Sequence, residues 1–411
     1  MTTPKPRKSF PKKGRSLTLS NWHIPLSDLD YGSEETMAVQ RVLQSKWLSM
    51  GPEVQAFEQE FAEFLGVKHA IAVANGTAAL HLSYLALGLE PGDEIIQPAI
   101  NFVAAANMAV AIGVKPVFAD IIGLNEPTID PADIERCISP RTKAVVVMHY
   151  GGYPCRMAEI QTICQQYGLV LIEDACHAVG ARYLDSQARE PHGNMVGTLG
   201  DIACFSFFSN KNLATGEGGL VTTNRDNLAE RLRLLRSHGM TTLSWERHKG
   251  HASSYDVILH GYNYRLDELR AALGRVQLRK LKRNNSRRQQ IVLAYQKHLT
   301  PLSGWTVPFW DYLGDSAHHL MALVAPDRET RTHVVKALKQ AGIQTSFHYP
   351  CLADFTAFRH LTSHDLEQSR LFAQSVITLP LFPTMTTDQV EQVCSHIYEF
   401  SSLTKLKDDL H

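Results

Sequence analysis

Two hydrophobic periods alternate along this chain. Short apolar runs at 70–74, 94–97, 115–121, 143–148, 169–174, 201–208 and 220–223 read as strands. Between and around them, apolar positions recur at helical spacing over 34–44, 52–65, 78–87, from 101–104 onward, and over 157–167 and 226–237. Strands and helices alternating in this way predict an α/β fold, a mostly parallel sheet flanked by helices. Residues 21–270 are expected to form one large α/β domain. A single long helical pattern, 265–299, then leads into a strand at 320–324, a helix at 328–341, a strand at 344–348, and helices at 364–375 and 387–400. Residues 271–411 are therefore expected to supply a linking helix and a small C-terminal α+β domain. The stretch 239–262 has no clear period and is rich in Ser, His, Lys and Gly, and so long a loop in a compact enzyme usually serves function or an interface.

Composition narrows the class. The 411 residues are 44% hydrophobic and 20% charged with zero formal net charge, values of a soluble globular protein without a global field for nucleic acid or anionic membrane. Residues 1–20 differ: Lys5, Arg7, Lys8, Lys12, Lys13 and Arg15 stand among Pro and Ser, which reads as a disordered, solvated basic tail rather than a nucleic-acid arm. No apolar segment of a secretory signal follows these charges, and no run approaches the ~18 apolar residues of a membrane span. The seven cysteines are odd in number and form no Cys-x-x-Cys pair, so neither a disulfide framework nor a cysteine zinc site is expected, and a reducing cytoplasm fits. The 19 histidines lack His-Glu-x-x-His spacing, and no metal site is expected.

Candidate chemistry gathers where strands end, the place at which parallel α/β sheets bind ligands. Gly76-Thr77, Phe102, His149, Asp174 to His177, and Ser206 to Lys211 all occupy such positions. Lys211 follows an apolar strand and precedes Gly216-Glu217-Gly218-Gly219. A lysine at the end of a buried strand is costly unless it is paired or loses its charge, and an imine with an aldehyde cofactor is one way to lose it. The competing reading is a lysine on a surface loop. Gly76-Thr77, opening a helix after a strand, offers amides and a hydroxyl to a phosphate, or else is an ordinary helix cap. Trp47, in the loop between the first two helices, either packs on the core or meets a substrate.

Taken together, Trp47-Leu48-x-x-Gly51-Pro52-Glu53-Val54, Asn75-Gly76-Thr77-Ala78-Ala79-Leu80, Pro91-Gly92-Asp93-Glu94, Ile172-Glu173-Asp174-Ala175-Cys176-His177-Ala178, the Lys211 loop, Gly261-Tyr262-Asn263-Tyr264-Arg265, His348-Tyr349-Pro350 and Leu379-Pro380-Leu381 are a set of separate motifs in order. Through them the chain resembles the DegT/DnrJ/EryC1/StrS sugar aminotransferases of pyridoxal-phosphate (PLP) fold type I over roughly residues 30–400. The resemblance implies that Lys211 carries PLP as a Schiff base, that Asp174 pairs with the pyridinium nitrogen, and that His177 stands near the ring's 3-hydroxyl. It implies Phe102 on the ring face, and Gly76, Thr77 and Ser206 on the phosphate. Asn263 would reach the phosphate held by a neighbouring subunit, which requires a homodimer with shared active sites. Two departures stand out: Asn101 replaces the Thr that commonly precedes the aromatic, and Phe208-Ser209-Asn210 replaces His-Pro-Thr before the lysine. Some relatives carry His in place of the lysine and act as dehydratases, so Lys211 argues for transamination.

The substrate implied is a nucleotide-linked deoxysugar bearing a keto carbon, aminated from a donor such as glutamate. Trp47, Lys249 and His348 are the candidate substrate contacts, with Arg247, His248 and His251 beside Lys249. The basic stretch around Lys249 is equally compatible with a solvated loop. Two alternatives carry different expectations: a PLP enzyme acting on a keto-cyclitol or other secondary metabolite, and a non-catalytic PLP-fold regulator, which Lys211, Asp174 and His177 together disfavour.

Overall fold

The structure, a computed structural model, describes residues 22–183, 193–242, 254–300, 302–361 and 364–408, with side chains to 401. At its centre lies a seven-stranded sheet ordered β1-β9-β8-β7-β6-β2-β3. The strands are β1 (His69–Val73), β2 (Glu94–Pro98), β3 (Lys115–Ala119), β6 (Thr142–Met148), β7 (Val170–Asp174), β8 (Ile202–Ser206) and β9 (Gly219–Thr223). Only β9 runs against its neighbours, so the sheet is mostly parallel, as the strand–helix alternation predicts. A short hairpin, β4 (Ile121–Gly123) with β5 (Glu126–Ile129), and helix α5 (Pro131–Cys137) lie between β3 and β6. They are too short to carry a readable period.

Helices cover both faces of the sheet. On one face α2 (Pro52–Leu65) presents Phe57 and Phe61, which meet Phe205 and Phe207 edge-on at ring separations of 5.1–5.7 Å. Aromatic pairs prefer this edge-to-face arrangement. On the other face α3 (Gly76–Ala86), α4 (Ala104–Ala111) and α7 (Asp226–Arg236) bury Leu80, Leu82, Ala105, Ala109, Leu228 and Leu232 against Ile71, Val146 and Ile172.

The helix Glu268–Leu299 serves two cores. Its first half sends Ala271, Leu278 and Leu281 into the core beneath α2. Its second half sends Ile291, Val292, Tyr295 and Leu299 into a separate core. That core lies around the two-stranded sheet of β10 (Met321–Val324) and β11 (Val376–Leu379), with helices Arg328–Gln340 and Thr387–Asp408. The helix begins at Glu268 rather than 265 because Asp267 caps it, accepting from Arg270 N at 2.9 Å. Glu268 reaches back to accept from Gly51, Glu53 and Val54 N–H at 2.8–3.0 Å, which closes the start of α2.

Two C-terminal expectations need correction. Residues 344–348 are not a strand. They make a single bridge, Ser346 with Thr378, before His348 and Tyr349 turn away to bind Thr378 Oγ1 and His177. The helix expected from 364 starts at Glu367, where the Asp120 carboxylate accepts from Gln368 and Ser369 N–H at 3.0 and 2.7 Å. Among the described residues, no helix is long and apolar enough to cross a membrane.

Candidate active site

Strand register builds the site. Val73 pairs with Gly219, and Gly219 pairs with Ser206, so the end of β1, the start of β9 and the end of β8 form one row. The parallel neighbour β7 ends at Asp174 on the same edge. Above this edge opens a cavity of about 410 Å³. Gly76, Thr77, Ser206 and Lys211 line it, together with Phe102, Asp174, His177 and His348, eight of the expected site residues. The sequence scatters these eight residues over 270 positions, and the fold brings all of them together.

Local causes fix each group. Asn75 caps α3, its side chain accepting from Ala78 N at 2.8 Å. This leaves the amides of Gly76 and Thr77 at a helix start, where N–H groups have no acceptor within the helix. Gly76 must be glycine: a Cβ there would lie 2.8 Å from Ser206 Cβ, so only its absence lets the Ser206 hydroxyl share this corner. Asp174 is buried and its Oδ1 accepts from Cys176 N at 3.2 Å. Burial pulls the Lys211 pKa down, with Cys176 and Asp174 acting the other way. His177 is held neutral, its pKa pushed well down by burial and then by the neighbouring Lys211 and His348. His348, with Nδ1 2.9 Å from Thr378 Oγ1, is lowered to about 4, chiefly by burial and then by Lys211. Phe102 lines the cavity, is 54% exposed, and its ring lies 6.1 Å from that of Tyr349.

A supporting layer stands behind. His319 lies 4.5 Å from the His177 ring and its Nδ1 meets Asn212 Oδ1 at 3.0 Å. The Asn212 amide in turn donates to Ala317 O and Asn285 Oδ1 at 2.6 and 2.8 Å. Strand alternation sends Glu173 to the opposite face from Asp174. There its carboxylate takes His149 Nε2, the Tyr183 hydroxyl, and the N–H groups of Gly197, Leu199 and Gly200. His149 is thus a buried structural partner of Glu173 and lies outside the cavity, although it too follows a strand end.

Two expected residues that the structure describes, Trp47 and Asn263, do not line the cavity. Trp47 is half-buried beside Gly51, its Nε1 donating to Met50 O at 3.4 Å, an interaction with its own loop. Asn263 is exposed and bridges Ser237. Lys249, with Arg247, His248 and His251, lies outside the described residues. Sequence reasoning gave no site role to Tyr349 and Glu217 and marked Asn101 and Asn210 only as departures from the family pattern, yet all four line the cavity. Their signal was positional, since Tyr349 sits inside His-Tyr-Pro and the others flank Phe102 and Lys211. The fold also brings Asp133, Cys137 and His364 together away from the cavity, with Asp133 engaged by Asp120 N–H, Arg136 and His364.

The donor set fits PLP. It offers an amine of lowered pKa for the aldehyde, a buried carboxylate for the ring nitrogen, a helix start with a hydroxyl for the phosphate, and an aromatic face. Asn101 Nδ2 and Asn210 Oδ1, buried beside the cavity, have no partner among the described residues.

Known proteins share this sequence pattern and fold. The spore coat polysaccharide biosynthesis protein SpsC of Bacillus subtilis (strain 168) is 39% identical over 381 residues, covering 91% of this chain and 96% of SpsC. The crystal structure of S. venezuelae DesV in complex with a ketimine intermediate is 33% identical, covers 92% of this chain and 98% of DesV, and superposes with a TM-score of 0.81. DesI, crystallised in the presence of its TDP-sugar product, is 30% identical, covers 92% of each chain and has a TM-score of 0.80. The signature of the DegT/DnrJ/EryC1/StrS aminotransferase family matches residues 30–398. The chain therefore belongs to that family and is a PLP-dependent aminotransferase of fold type I.

Proposed function

We propose that the protein transfers an amino group, from a donor such as glutamate, to a keto carbon of a nucleotide-linked deoxysugar. The observation that carries this is the meeting of Lys211, Asp174 and the Gly76–Ser206 corner in one cavity. The similarity to DesI, crystallised in the presence of its TDP-sugar product, favours the nucleotide sugar.

When bound, PLP supplies an electron-withdrawing ring that stabilises negative charge at the carbon being aminated or deaminated. Gly76, Thr77 and Ser206 would hold its phosphate, a dianion suited to a helix start. The Asp174 carboxylate would face the ring nitrogen and keep it protonated, since an adjacent negative charge favours the charged form. Phe102 would cover the ring and exclude water. Lys211 would anchor the aldehyde and, once released, move a proton to and from the reacting carbon. Its burial-lowered pKa suits that task, because a base works best near the working pH. His177 would stand beside the 3-hydroxyl.

His348, in the cavity wall, and Trp47 and Lys249 are the proposed substrate contacts. Asn263, exposed on its own subunit, would complete the phosphate site of a second copy, and the working unit would be a homodimer. Seven unpaired cysteines favour a reducing cytoplasm.

Purified protein should show the yellow PLP band, and Lys211→Ala should lose it. Wild-type protein should aminate at least one member of a panel of nucleotide 3-keto and 4-keto sugars with glutamate. Failure on every nucleotide sugar, with turnover of a free keto-cyclitol, would overturn the substrate assignment and leave the cofactor assignment standing.

A further inference from the structure

Outside the cavity, three side chains of different chemistry converge. Asp133 and Cys137 stand four positions apart on α5, so both lie on one face of that helix. His364 comes from the segment just before the helix Glu367–Ser375. Its Nε2 lies 3.1 Å from Asp133 Oδ2 and 3.8 Å from Cys137 Sγ, and the three residues bring one ligand atom each within 4.8 Å of the others. Asp133 is fully buried, while Cys137 and His364 are half-buried and line a second pocket of about 410 Å³. That pocket shares no lining residue with the cofactor cavity.

Hydrogen bonding alone serves this trio poorly. One imidazole nitrogen faces both an oxygen and a sulfur, and a single N–H cannot point along both directions. Asp133 Oδ2 already accepts from Asp120 N–H, and the other contact of the Cys137 thiol is a 3.9 Å approach to Phe118 O. A tetrahedral zinc ion would bond all three atoms at once. With zinc–sulfur at about 2.3 Å and zinc–nitrogen or zinc–oxygen at about 2.0–2.1 Å, its ligand atoms stand about 3.3–3.6 Å apart. The separations of 3.1 and 3.8 Å lie about 0.2 Å outside that range, a small side-chain adjustment.

The surroundings suit a bound cation. Arg136 Nη2, 2.7 Å from Asp133 Oδ1, and Asp120 N–H hold the carboxylate from behind, the outer contacts that fix a ligand's direction. A Cys137 thiolate and the Asp133 carboxylate would cancel the ion's two charges. The thiol proton leaves to solvent, and His364 keeps its own proton on Nδ1. Thiolate with imidazole selects zinc over magnesium, calcium or manganese, and three protein ligands leave the fourth position to water.

We infer that Asp133, Cys137 and His364 form a zinc site that ties α5 to the approach of the helix Glu367–Ser375. No sequence motif marks it, because His364 stands 227 positions from Cys137. Asp120, which donates to Asp133, also accepts from Gln368 and Ser369 N–H, so the ion would reinforce an existing joint between the two helices.

The experiment uses full-length, tag-free holoenzyme, stripped with a chelator and then supplied with zinc. Bound metal is counted by atomic emission, and Kd is measured by competition with a chromophoric chelator. Wild type should hold one zinc per chain. Arg136→Gln, which removes an outer contact, should weaken binding by about 10–100-fold, and Cys137→Ser and His364→Gln by more than that. Magnesium and manganese should not compete. Cobalt loaded in place of zinc should show a thiolate-to-metal charge-transfer band that Cys137→Ser abolishes. The PLP band should be the same in every variant, because the two pockets are separate. Wild-type protein that holds no zinc against the competitor overturns the inference, as does a Kd unchanged in both Cys137→Ser and His364→Gln, which would place the metal elsewhere. If Cys137→Ser does not accumulate as folded protein, an unchanged Kd in His364→Gln overturns it alone.

Discussion

Replacing Gly219 with alanine tests whether strand register builds the phosphate corner. The new Cβ would lie 2.4 Å from the carbonyl carbon of Asn75, 2.5 Å from its oxygen and 2.8 Å from Gly76 N. Ordinary contact starts near 3.4 Å, so something must give by about 1 Å, and every atom named is backbone. Either β9 slides off the Val73 pairing or the start of α3 moves, and both separate Gly76 and Thr77 from Ser206. Overpacking of this kind costs about 1–3 kcal/mol. In a chain of this length that lowers Tm by only about 1–3 °C. The larger effect should fall on the cofactor: losing one charge-assisted hydrogen bond to the phosphate weakens PLP binding by about 10–100-fold. Titrating apoprotein with PLP and following the visible band gives the Kd, with differential scanning fluorimetry alongside. Gly123→Ala is the control, since its nearest neighbour is Gln368 Oε1 at 3.8 Å. A Gly219→Ala protein that binds PLP as tightly as wild type would refute the argument that this close approach shapes the site.

Two further outcomes follow from buried charge. Glu173→Gln turns one acceptor oxygen into a donor that faces at least two donors, whichever way the amide lies. A loss of about 3–5 kcal/mol is expected, seen as a fall in Tm of about 3–5 °C, and an unchanged Tm would sink that assignment. Burial lowers the pKa values of His318 and His348 to about 4, helped by Arg288 and Lys211 respectively. Between pH ~6.5 and 4 the unfolded chain therefore binds more protons, so their contribution is complete above pH ~6.5 and is lost as pH falls toward 4. His318→Asn should flatten the dependence of unfolding free energy on pH in that window by up to about 1.4 kcal/mol per pH unit, measured by urea unfolding at several pH values; an unaltered slope would contradict a neutral buried His318.

Much of this architecture was legible because period and position carry physical meaning. The seven strands of the central sheet announced themselves as apolar runs, and the mostly parallel arrangement followed from the helices between them. Gly76, Asp174, Ser206 and Lys211 were legible as a set because parallel strands end on one edge. The same rule overreached at His149, which also follows a strand end. Residue alternation, not proximity to the edge, decides which face a side chain serves, and Glu173 claims that imidazole on the other face. Residues 344–348 looked like a strand because local pattern cannot show that His348 and Tyr349 are bound by Thr378 and His177, partners 30 and 172 positions away. Tyr349 escaped for the same reason: its place in the cavity wall comes with a hydroxyl contact to His177, far away in sequence. The helix starts at 268 and 367 shifted because side-chain caps, not hydrophobic period, end or begin a helix.

The helix Glu268–Leu299 has a consequence for dissecting this molecule. Its 32 residues extend about 48 Å and join two cores, the first half packed in one and the second half in the other. Cutting the chain at 270/271 would strip Leu278 and Leu281 from the core they fill and leave their apolar side bare on the other fragment. Neither piece would be a self-sufficient folding unit. Truncated versions meant to isolate the smaller half should therefore carry a resurfaced spine, and proteolysis of the native protein should find few nicks there and spread rapidly once one is made.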